Sequence, residues 1–333
     1  MNTRRRAFLK FATATFAMPA LIGSARAQAW PEKPIRVVIP FGAGSSVDII
    51  GRIITEYLSR ALGQSMVIEN RGGAGGAIGS REVANAAPDG YTMLINASAH
   101  SAAPAAYPQI QYDVVKDFAA VASFGVIPNV VIVRPGRGIN SIADFLKEAK
   151  AGNFTFASAG VGSATHWAAE RLRLAGGFAA THVPFRSGPE AINEVMAGRV
   201  DFASMGISSA LPFITDNKLL GLAVSTTKRS AALPNAPTTL EAGLPDSDYT
   251  YWNGLFVPAK TPRAIVDRLH AEVQKVLALP DVVAKFNPQG VEPMPVTPQE
   301  FDAVIAKEVA ANIALVKAAG LDRKSTRLNS SHI

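Results

Sequence analysis

The stretch IRVVIPFGAGSSVD, residues 35–48, joins an apolar run typical of a strand to a glycine-rich turn and the start of a helix. A near twin, ASAGVGSATH, covers residues 157–166 in the second half of the chain. A turn of this kind presents backbone N–H groups at a helix N-terminus, which is a ready anion site. Two such turns facing each other across a cleft could hold the two ends of an anion.

The glycines of these turns permit two other interpretations. In one, they only make tight turns, with Ser45 and Asp48 forming a capping box and Ser163 capping the second helix. Capping and binding are compatible, because a capped turn still exposes other N–H groups. In the other, each turn is a dinucleotide fingerprint, but Val47 and Thr165 stand where that motif needs a third small residue. The dinucleotide interpretation is therefore weak.

Strand-like apolar runs alternate with helical patterns around both turns. One series runs from Ile35 to Asn96 and the other from Val130 to Ser204. This alternation predicts parallel sheets with helices on their faces, built twice. Later strands at 221–225 and 251–257 and amphipathic helices at 262–277 and 298–319 are expected to complete the architecture.

The predicted fold class is therefore α/β, with two lobes and a ligand cleft between the carboxyl ends of their strands. Residues 28–125 are expected to form the first part of lobe 1, and residues 126–225 are expected to form lobe 2. Residues 226–321 are expected to return to lobe 1 and to supply the C-terminal helices.

Two further segments are candidates for the cleft. Residues 71–79 are glycine-dense and precede a helix, so they mark either a third anion cradle or a close approach of helix to sheet. Ser98 follows the third predicted strand at its carboxyl end, which allows its hydroxyl to point into the cleft. His100, two residues later, is interpreted as a surface histidine.

Both ends of the chain are predicted to lie outside the fold. Residues 1–27 combine Arg4-Arg5-Arg6 with a short apolar run and small residues before Gln28, the pattern of a signal peptide. Arg5-Arg6 favours the twin-arginine type, with a Sec signal as the alternative, and the run is too short for a membrane-spanning helix. Residues 322–333 lack periodicity and resemble a sequencing adapter read in frame.

Charge and composition exclude several classes of protein. The chain has 33 Lys and Arg against 26 Asp and Glu, but five of the basic residues lie in residues 1–27 and three, with one acid, lie in 322–333. The remainder is balanced, so the net positive charge does not indicate a nucleic-acid-binding surface. The absence of cysteine excludes disulfides, thiolate metal sites and a lipid-attachment cysteine.

No catalytic or metal motif is present in the sequence. There is no Gly-x-Ser-x-Gly elbow, no His-Glu-x-x-His and no Walker loop. The histidines show no metal-ligand spacing; they are His100, His166, His182, His270 and His332. An enzyme is therefore not expected, and no cofactor is predicted.

Several short motifs resemble those of the Bug-type (TctC-like) receptors of tripartite tricarboxylate transporters, in an order and spacing that cover residues 30–320. They include Trp30-Pro31-Glu32-Lys33-Pro34, Glu69-Asn70-Arg71, Ala87-Pro88-Asp89-Gly90-Tyr91-Thr92, His182-Val183-Pro184-Phe185, Gly198-Arg199-Val200-Asp201 and Glu241-Ala242-Gly243-Leu244-Pro245.

The resemblance implies a type II periplasmic-binding-protein fold that closes on a small carboxylate, such as a di- or tricarboxylate, an acidic amino acid or an aromatic acid. It also implies a periplasmic monomer whose partners are the ligand and the permease subunits of a tripartite transporter, with no nucleic acid. The ligand-binding residues carried over onto this chain are Phe41, Gly44, Ser45, Ser46, Asp48, Ser98, Gly160, Gly162, Ser163 and His166.

This chain departs from the family pattern at several points, so the ligand is not inherited with the fold. The first turn is poorer in proline and carries Val47 where threonine is usual, and Arg186 stands where lysine is common. Two other functions remain open from the sequence: a sensory receptor that docks to a two-component kinase, and an enzyme on the same fold.

Overall fold

The computed structural model describes residues 30–249 and 251–319, and it has two lobes. The first part of lobe 1 consists of β1 (Ile35–Ile39), α1 (Ser46–Leu62), β2 (Met66–Asn70), α2 (Ala77–Ala84), β3 (Thr92–Ala97), α3 (Ala99–Ala106) and β4 (Phe118–Val126). Lobe 2 consists of β5 (Asn129–Val133), α4 (Ile142–Ala151), β6 (Phe154–Ser158), α5 (Ala164–Gly176), β7 (Ala180–Pro184), α6 (Gly188–Met196), β8 (Phe202–Gly206), α7 (Ile207–Thr215) and β9 (Leu220–Val224). The chain then returns to lobe 1 with β10 (Trp252–Pro258), α8 (Arg263–Leu277), α9 (Pro280–Phe286) and α10 (Pro298–Ala319).

The two lobes contain sheets of the same design. The lobe 1 sheet has the order β2-β1-β3-β10-β4 and the lobe 2 sheet has the order β7-β6-β8-β5-β9. The pairs expected to be parallel are parallel, namely β1 with β2 and β3, and β6 with β7 and β8. In each sheet the fourth strand runs antiparallel to its neighbours, so the sheets are mixed.

The antiparallel strand is the one that arrives from the other lobe. The first residues of β10 pair with the end of β3, through Asn253 and Ala97. In the same way Asn129 at the start of β5 pairs with Gly206 at the end of β8. A chain that crosses between lobes enters each sheet at the carboxyl ends of the parallel strands, and it must therefore run in the opposite direction.

The two crossings differ in how well they match the sequence-based division. The first follows β4, which ends at Val126, one residue after the expected end of the first segment. The second was expected at residue 226, but the chain stays with lobe 2 through Tyr249, whose N–H donates to Ser225 O. Within this segment Leu244 is buried in the lobe 2 core. The segment is rich in turn residues and has no periodicity, so its attachment depends on these tertiary contacts alone.

Each sheet is covered by apolar side chains on both faces. In lobe 1, Ile39, Ile54 and Leu269 are fully buried on one face and Trp252, Phe256 and Phe301 on the other. Phe145, Phe156 and Phe202 form the corresponding cluster in lobe 2. Each such side chain contributes about 1.5–3 kcal/mol relative to its exposed state. One buried cluster lies within each lobe, and a third contains side chains of both lobes, such as Ile39 and Met205, so the two cores meet beside the site.

Some features fall outside the sequence-based description. Helices α3, α7 and α9 and strand β4 were not predicted. Within the described part of the chain, no helix combines the length and apolar character of a membrane span. In the same residues, no group of three acidic or histidine side chains is arranged to hold a metal ion. The predicted signal peptide and C-terminal tail lie outside the described residues.

Candidate ligand-binding site

A small cavity lies between the two lobes, where the glycine turns meet. Its volume is about 20 Å³, which is room for one or two water molecules. Its walls come from both lobes and are formed by Phe41, Ser45, Ser46, Ala97, Ala99, Ala159, Ser163, Ala164, Thr165, Gly188, Met205, Gly206, Ser209 and Tyr251. Four of the ten residues predicted for the site line this cavity: Phe41, Ser45, Ser46 and Ser163.

The first-lobe turn is shaped by a carboxylate that lies behind it. Asp48 is 1 % exposed, and its Oδ2 accepts hydrogen bonds from Gly44 N–H and Arg52 Nε, both at 2.9 Å. Its Oδ1 accepts from Asn70 Nδ2 at 2.8 Å, and the same amide donates to Phe41 O at 2.9 Å. Asp48 and Gly44 are not among the lining residues of the cavity. Asp48 therefore fixes the turn through these bonds.

The hydroxyls of this turn face lobe 2. Ser45 occupies the N-cap position of α1 but makes no side-chain cap bond, and its N–H donates to Gly42 O while Asp48 accepts from Gly44 N–H, so the expected capping box does not form. Its buried Oγ has no hydrogen-bond partner within the described part of the chain. Ser46 Oγ donates across the cleft to Ser209 Oγ at 3.2 Å. The turn thus offers one unpartnered hydroxyl and one that bridges the lobes.

In the second-lobe turn, the Ser163 hydroxyl is committed to its own loop. It donates to Gly160 O at 2.7 Å and accepts from His166 N–H at 3.2 Å. Gly160 and Gly162 have φ values of +111° and +76°, a region that favours glycine. The capping interpretation of Ser163 is therefore confirmed. Ala164 and Thr165, the first residues of α5, line the cavity, and N–H groups in the first turn of a helix have no intrahelical partner.

The remaining predicted residues lie beside or behind the cavity. Ser98 is buried, and its Oγ has no partner among the described residues, but its neighbours Ala97 and Ala99 form the wall. Gly162 N–H donates to Nδ1 of His166 at 3.2 Å, so that imidazole lies behind the turn. Gly160 lines a second, outer cavity.

Sequence reasoning missed the part of the site that comes from β8 and α7. Gly206 approaches lobe 1 so closely that a β-carbon there would overlap Ser46 Oγ and lie 2.8 Å from Tyr251 Cε1. Ser209 and Met205 complete this wall. Neither Gly206 nor Ser209 is among the predicted site residues. A glycine two positions after Ser204, where the predicted series of strands and helices ends, was the one signal that pointed to a close approach.

The third glycine segment forms a contact between the lobes. Gly75 has φ +59°, and a β-carbon there would overlap the Val161 carbonyl of lobe 2. The Tyr107 hydroxyl donates to the same carbonyl at 2.7 Å. Gly79 also lies close to β1, with a β-carbon position 2.9 Å from Pro40 Cβ. The close-approach interpretation is thus confirmed, and one of the approaches is between lobes.

The outer cavity opens beside the inner one, with Ala159 in the wall of both. Its volume is about 430 Å³. Lobe 1 contributes Gly73, Ala74, Gly75 and Tyr107, and lobe 2 contributes Ala159, Gly160, Val161, Pro184, Phe185, Arg186 and Glu190. The Arg186 guanidinium makes no ion pair with a described residue, while Glu190 accepts from the Arg186 backbone N–H at 3.1 Å.

The inner cavity contains no charged side chain among its described lining residues. Its single titratable group is Tyr251, and burial together with the neighbouring Tyr249 raises the pKa of that hydroxyl, which keeps it neutral. The α1 and α5 N-termini nevertheless place positive partial charge on both sides of the cavity. The site is therefore suited to a compact anion that accepts hydrogen bonds from N–H and hydroxyl groups.

Comparison with known proteins places the chain among solute-binding receptors. The profile of the family described as "Tripartite tricarboxylate transporter family receptor" matches residues 50–321. A protein from the tcbD-tcbE intergenic region of Pseudomonas sp. strain P51 is 38% identical over 285 residues, covering 84% of this chain and 85% of that protein. BugT of Bordetella pertussis is 31% identical over 320 residues, covering 94% and 96%.

Solved structures agree with this placement. MatC from Rhodopseudomonas palustris, with bound malate, has a TM-score of 0.81 and 31% identity and covers 86% of this chain and 100% of its own. A second R. palustris protein, solved with adipate, has a TM-score of 0.84 and 30% identity and covers 87% and 98%.

Proposed function

Because this chain belongs to the tripartite tricarboxylate transporter receptor family, we propose that it closes on a small carboxylate and delivers it to membrane permease subunits. As a member of a periplasmic solute-binding family, it is a binding protein and not an enzyme. The proposal concerns the ligand class, the residues that hold it and the transporter that receives it.

One observation carries the ligand class: two helix N-termini from opposite lobes face one cavity that has no charged side chain in its described walls. A carboxylate has two oxygens with several lone pairs, and it can accept from the α1 end and the α5 end together. An ammonium group has no carboxylate partner in this lining and would meet the positive ends of both helices. The arrangement supports an acid over a cation.

Closure of the lobes supports a mechanism in which the ligand links the two turns. At about 20 Å³ the inner cavity admits a carboxylate only after the lobes separate, with the ligand replacing contacts such as Ser46–Ser209. The ligand then bridges Ser45 and Ser46 of lobe 1 with the α5 N–H groups of lobe 2. Binding and closure are coupled, because the full set of donors exists only in the closed state.

The rest of the ligand is proposed to extend past Ala159 into the outer cavity. Phe185 offers an apolar surface there, and the Arg186 guanidinium is available to a second acidic group. A dicarboxylate of about six carbons can reach both ends better than one of four. The relatives solved with malate and adipate support acids of this size range.

Calorimetry with succinate, malate, adipate and citrate tests this proposal, with succinamide and adipamide as matched neutral controls. We expect at least one acid to bind and its diamide to fail. A saturating ligand that binds only the folded protein should raise the free energy of unfolding by about 2.7 kcal/mol at a hundredfold excess over Kd. Binding of the diamide as tightly as the acid would contradict the carboxylate assignment.

Transport and export need tests of their own. Deleting the gene should abolish uptake of the bound acid in a strain whose permease is intact, and unchanged uptake would exclude the delivery role.

We further propose export by the signal peptide at residues 1–27, with Gln28 as the mature N-terminus. Mass spectrometry of periplasmic protein checks the N-terminus, and blocking twin-arginine translocation separates that route from Sec.

A further inference from the structure

Three aromatic rings of lobe 2 form a stack behind the second-lobe turn. Phe156 of β6 pairs with His182 of β7 in the sheet register, and their ring centroids are 4.7 Å apart with planes 13° apart. The imidazole of His166, from α5, stacks on His182 at 4.1 Å and 17°. Contacts of this kind restrict the orientation of each ring. The stack therefore determines where the imidazole nitrogens point.

Each imidazole is connected to one glycine of the turn. Nδ1 of His166 accepts from Gly162 N–H at 3.2 Å. Nε2 of His182 is hydrogen-bonded to Ser158 Oγ at 2.6 Å, and that hydroxyl accepts from Gly160 N–H at 3.1 Å. Both glycine amides are thus tied to the side of the turn that faces away from the inner cavity.

Both histidines are held in the neutral form, which the bond from Gly162 N–H to His166 requires. Burial, with Arg173 adding to it, lowers the pKa of His166 to about 4. Burial and the neighbouring His166 lower the pKa of His182 to about 2. The other charged group facing His166 is Glu170, 4.0 Å from Nε2 and ion-paired with Arg173 at 2.6 Å. Only a neutral imidazole keeps an acceptor nitrogen for an N–H donor.

The turn needs such restraint because its glycines have few conformational limits of their own. Glycine populates positive and negative φ about equally, so the observed φ values of +111° and +76° are not enforced by the residue type. Helix α5 begins two residues after Gly162, and its first residues, Ala164 and Thr165, line the inner cavity with N–H groups that have no intrahelical partner. A change in the turn would redirect these donors.

We propose that His166 and His182 are positioning residues, which hold the second-lobe turn in its ligand-binding shape without touching the ligand. The proposal rests on the proposed function in one respect, since it takes the α5 N–H groups as ligand donors. It also changes the role expected for His166, which was predicted to bind the ligand directly.

Two substitutions of His166 separate the hydrogen bond from the ring. His166→Asn keeps an acceptor oxygen close to the position of Nδ1 but loses the ring, whereas His166→Phe keeps the ring and loses the acceptor. His182→Phe likewise keeps the stack and removes the bond to Ser158. In the ligand-free protein, we expect amide hydrogen exchange at Gly162 to accelerate roughly tenfold in His166→Phe and to stay near parental in His166→Asn.

The parent protein offers a test that needs no variant. A scalar coupling across the hydrogen bond between Gly162 N and His166 Nδ1 should appear in ¹⁵N NMR spectra. Its absence, together with parental exchange in His166→Phe, would overturn the hydrogen-bonded brace. These measurements use no ligand, so they stand even if succinate, malate, adipate and citrate all fail to bind.

Affinity then tests whether the brace matters for binding. With whichever of those four acids binds the parent, His166→Phe and His182→Phe should weaken Kd roughly tenfold while the cooperative melt is retained, and His166→Asn should recover most of the loss. Altered Gly162 exchange with parental affinity would contradict the positioning role. A His166→Asn variant that binds as weakly as His166→Phe would assign the effect to the ring and contradict the acceptor role.

Discussion

At the scale of single residues, the most prominent polar side chains of the two turns, Asp48 and Ser163, form hydrogen bonds that fix the conformation of the turns. Asp48 accepts from Gly44, Arg52 and Asn70, and Ser163 closes its own loop onto Gly160. Their hydrogen-bonding capacity is largely used within lobes. What remains for a ligand is the Ser45 hydroxyl, unpartnered within the described part of the chain, and the N–H groups at the start of each helix.

Replacing Asp48 should affect stability and affinity together. Asp48→Ala leaves the Gly44 N–H and an Asn70 donor without their acceptor, and each unsatisfied buried group costs about 1–3 kcal/mol. Asp48→Asn keeps an acceptor oxygen and should lose less. Chemical denaturation and calorimetry check this, with the exposed Asp267→Ala as control, expected within about 0.5 kcal/mol of the parent. A stable Asp48→Ala that only fails to bind would reassign Asp48 to ligand contact.

Stability should fall on acidification because buried histidines must remain neutral, and His100, wrongly predicted to lie on the surface, is one of them at 1 % exposed. Burial lowers the pKa of His100 to about 3, of His166 to about 4 and of His182 to about 2, from an ordinary 6.5. Below pH 6.5 the unfolded chain binds these protons and the folded chain does not, so the free energy of unfolding decreases as the pH falls. The raised carboxyl pKa values of Glu308 and Asp302 act in the opposite direction.

The contribution of His182 to the pH dependence of stability can be measured by comparing the parent with a variant that lacks this histidine. Denaturation curves at several pH values for the parent and His182→Gln should show a flatter profile in the variant between about pH 6.5 and 4. Parallel profiles would mean that His182 is accessible to protons in the folded protein.

At the scale of elements, strand ends and helix starts create the site together. Helices α1 and α5 each begin directly after a glycine turn that follows a parallel strand, so both N-termini lie at the cleft edge of their sheets. The start of α7, after Gly206, brings a third element to the same cavity. Its distance from α1 depends on the absence of a side chain at Gly206.

Gly206→Ala should weaken binding with little effect on folding. The φ of Gly206 is −55°, so alanine suits the backbone, but its β-carbon would overlap Ser46 Oγ of the other lobe. The overlap exists only when the lobes are closed. We expect Kd for the bound acid to rise roughly tenfold, about 1.4 kcal/mol, with an unchanged melting temperature. Gly152→Ala, away from the cleft, is the matched control; equal affinity in Gly206→Ala would show that closure tolerates the methyl group.

At the scale of the whole molecule, two lobes of similar topology meet through a few specific contacts. Ser46 bonds to Ser209, and Tyr107 bonds to Val161 O. Both bonds join one lobe to the other, so we expect them to contribute to closure more than to the folding of either lobe. A ligand that binds the closed arrangement shifts the population toward it by its difference in affinity for the two states.

Tyr107→Phe should shift this closure equilibrium. The variant keeps the ring but leaves Val161 O without the hydroxyl donor at 2.7 Å, a loss of about 0.5–1.5 kcal/mol in the closed state. Kd should rise about two- to tenfold, and small-angle scattering at partial saturation should show a larger open fraction. Tyr57→Phe, on α1, serves as control. A drop in melting temperature without a change in affinity would show that the contact stabilises the folded state and not the closed arrangement of the lobes.

The sequence by itself determined the local units and their repetition. The strand-like apolar runs and helical patterns predicted alternating strands and helices over residues 35–96 and 130–204, and β1–β3, α1, β6–β8 and α5 begin within these ranges, because the signals are local. The glycine turns and the family motifs indicated a two-lobed carboxylate receptor. Helix α3 was missed because it is buried on nearly all sides, which removes the amphipathic period that marks a helix.

Only the tertiary structure decided which groups face the ligand. Asp48 and His166 lie in the same motifs as Ser46 and Ser163, yet the first pair lies behind the turns and the second lines the cavity. Ser209, which forms part of the cavity wall with Gly206, is 163 residues away from Ser46 in the sequence but is hydrogen-bonded to it in the structure. Local patterns specify backbone conformation, whereas the direction in which a side chain is buried depends on the lobe that packs against it.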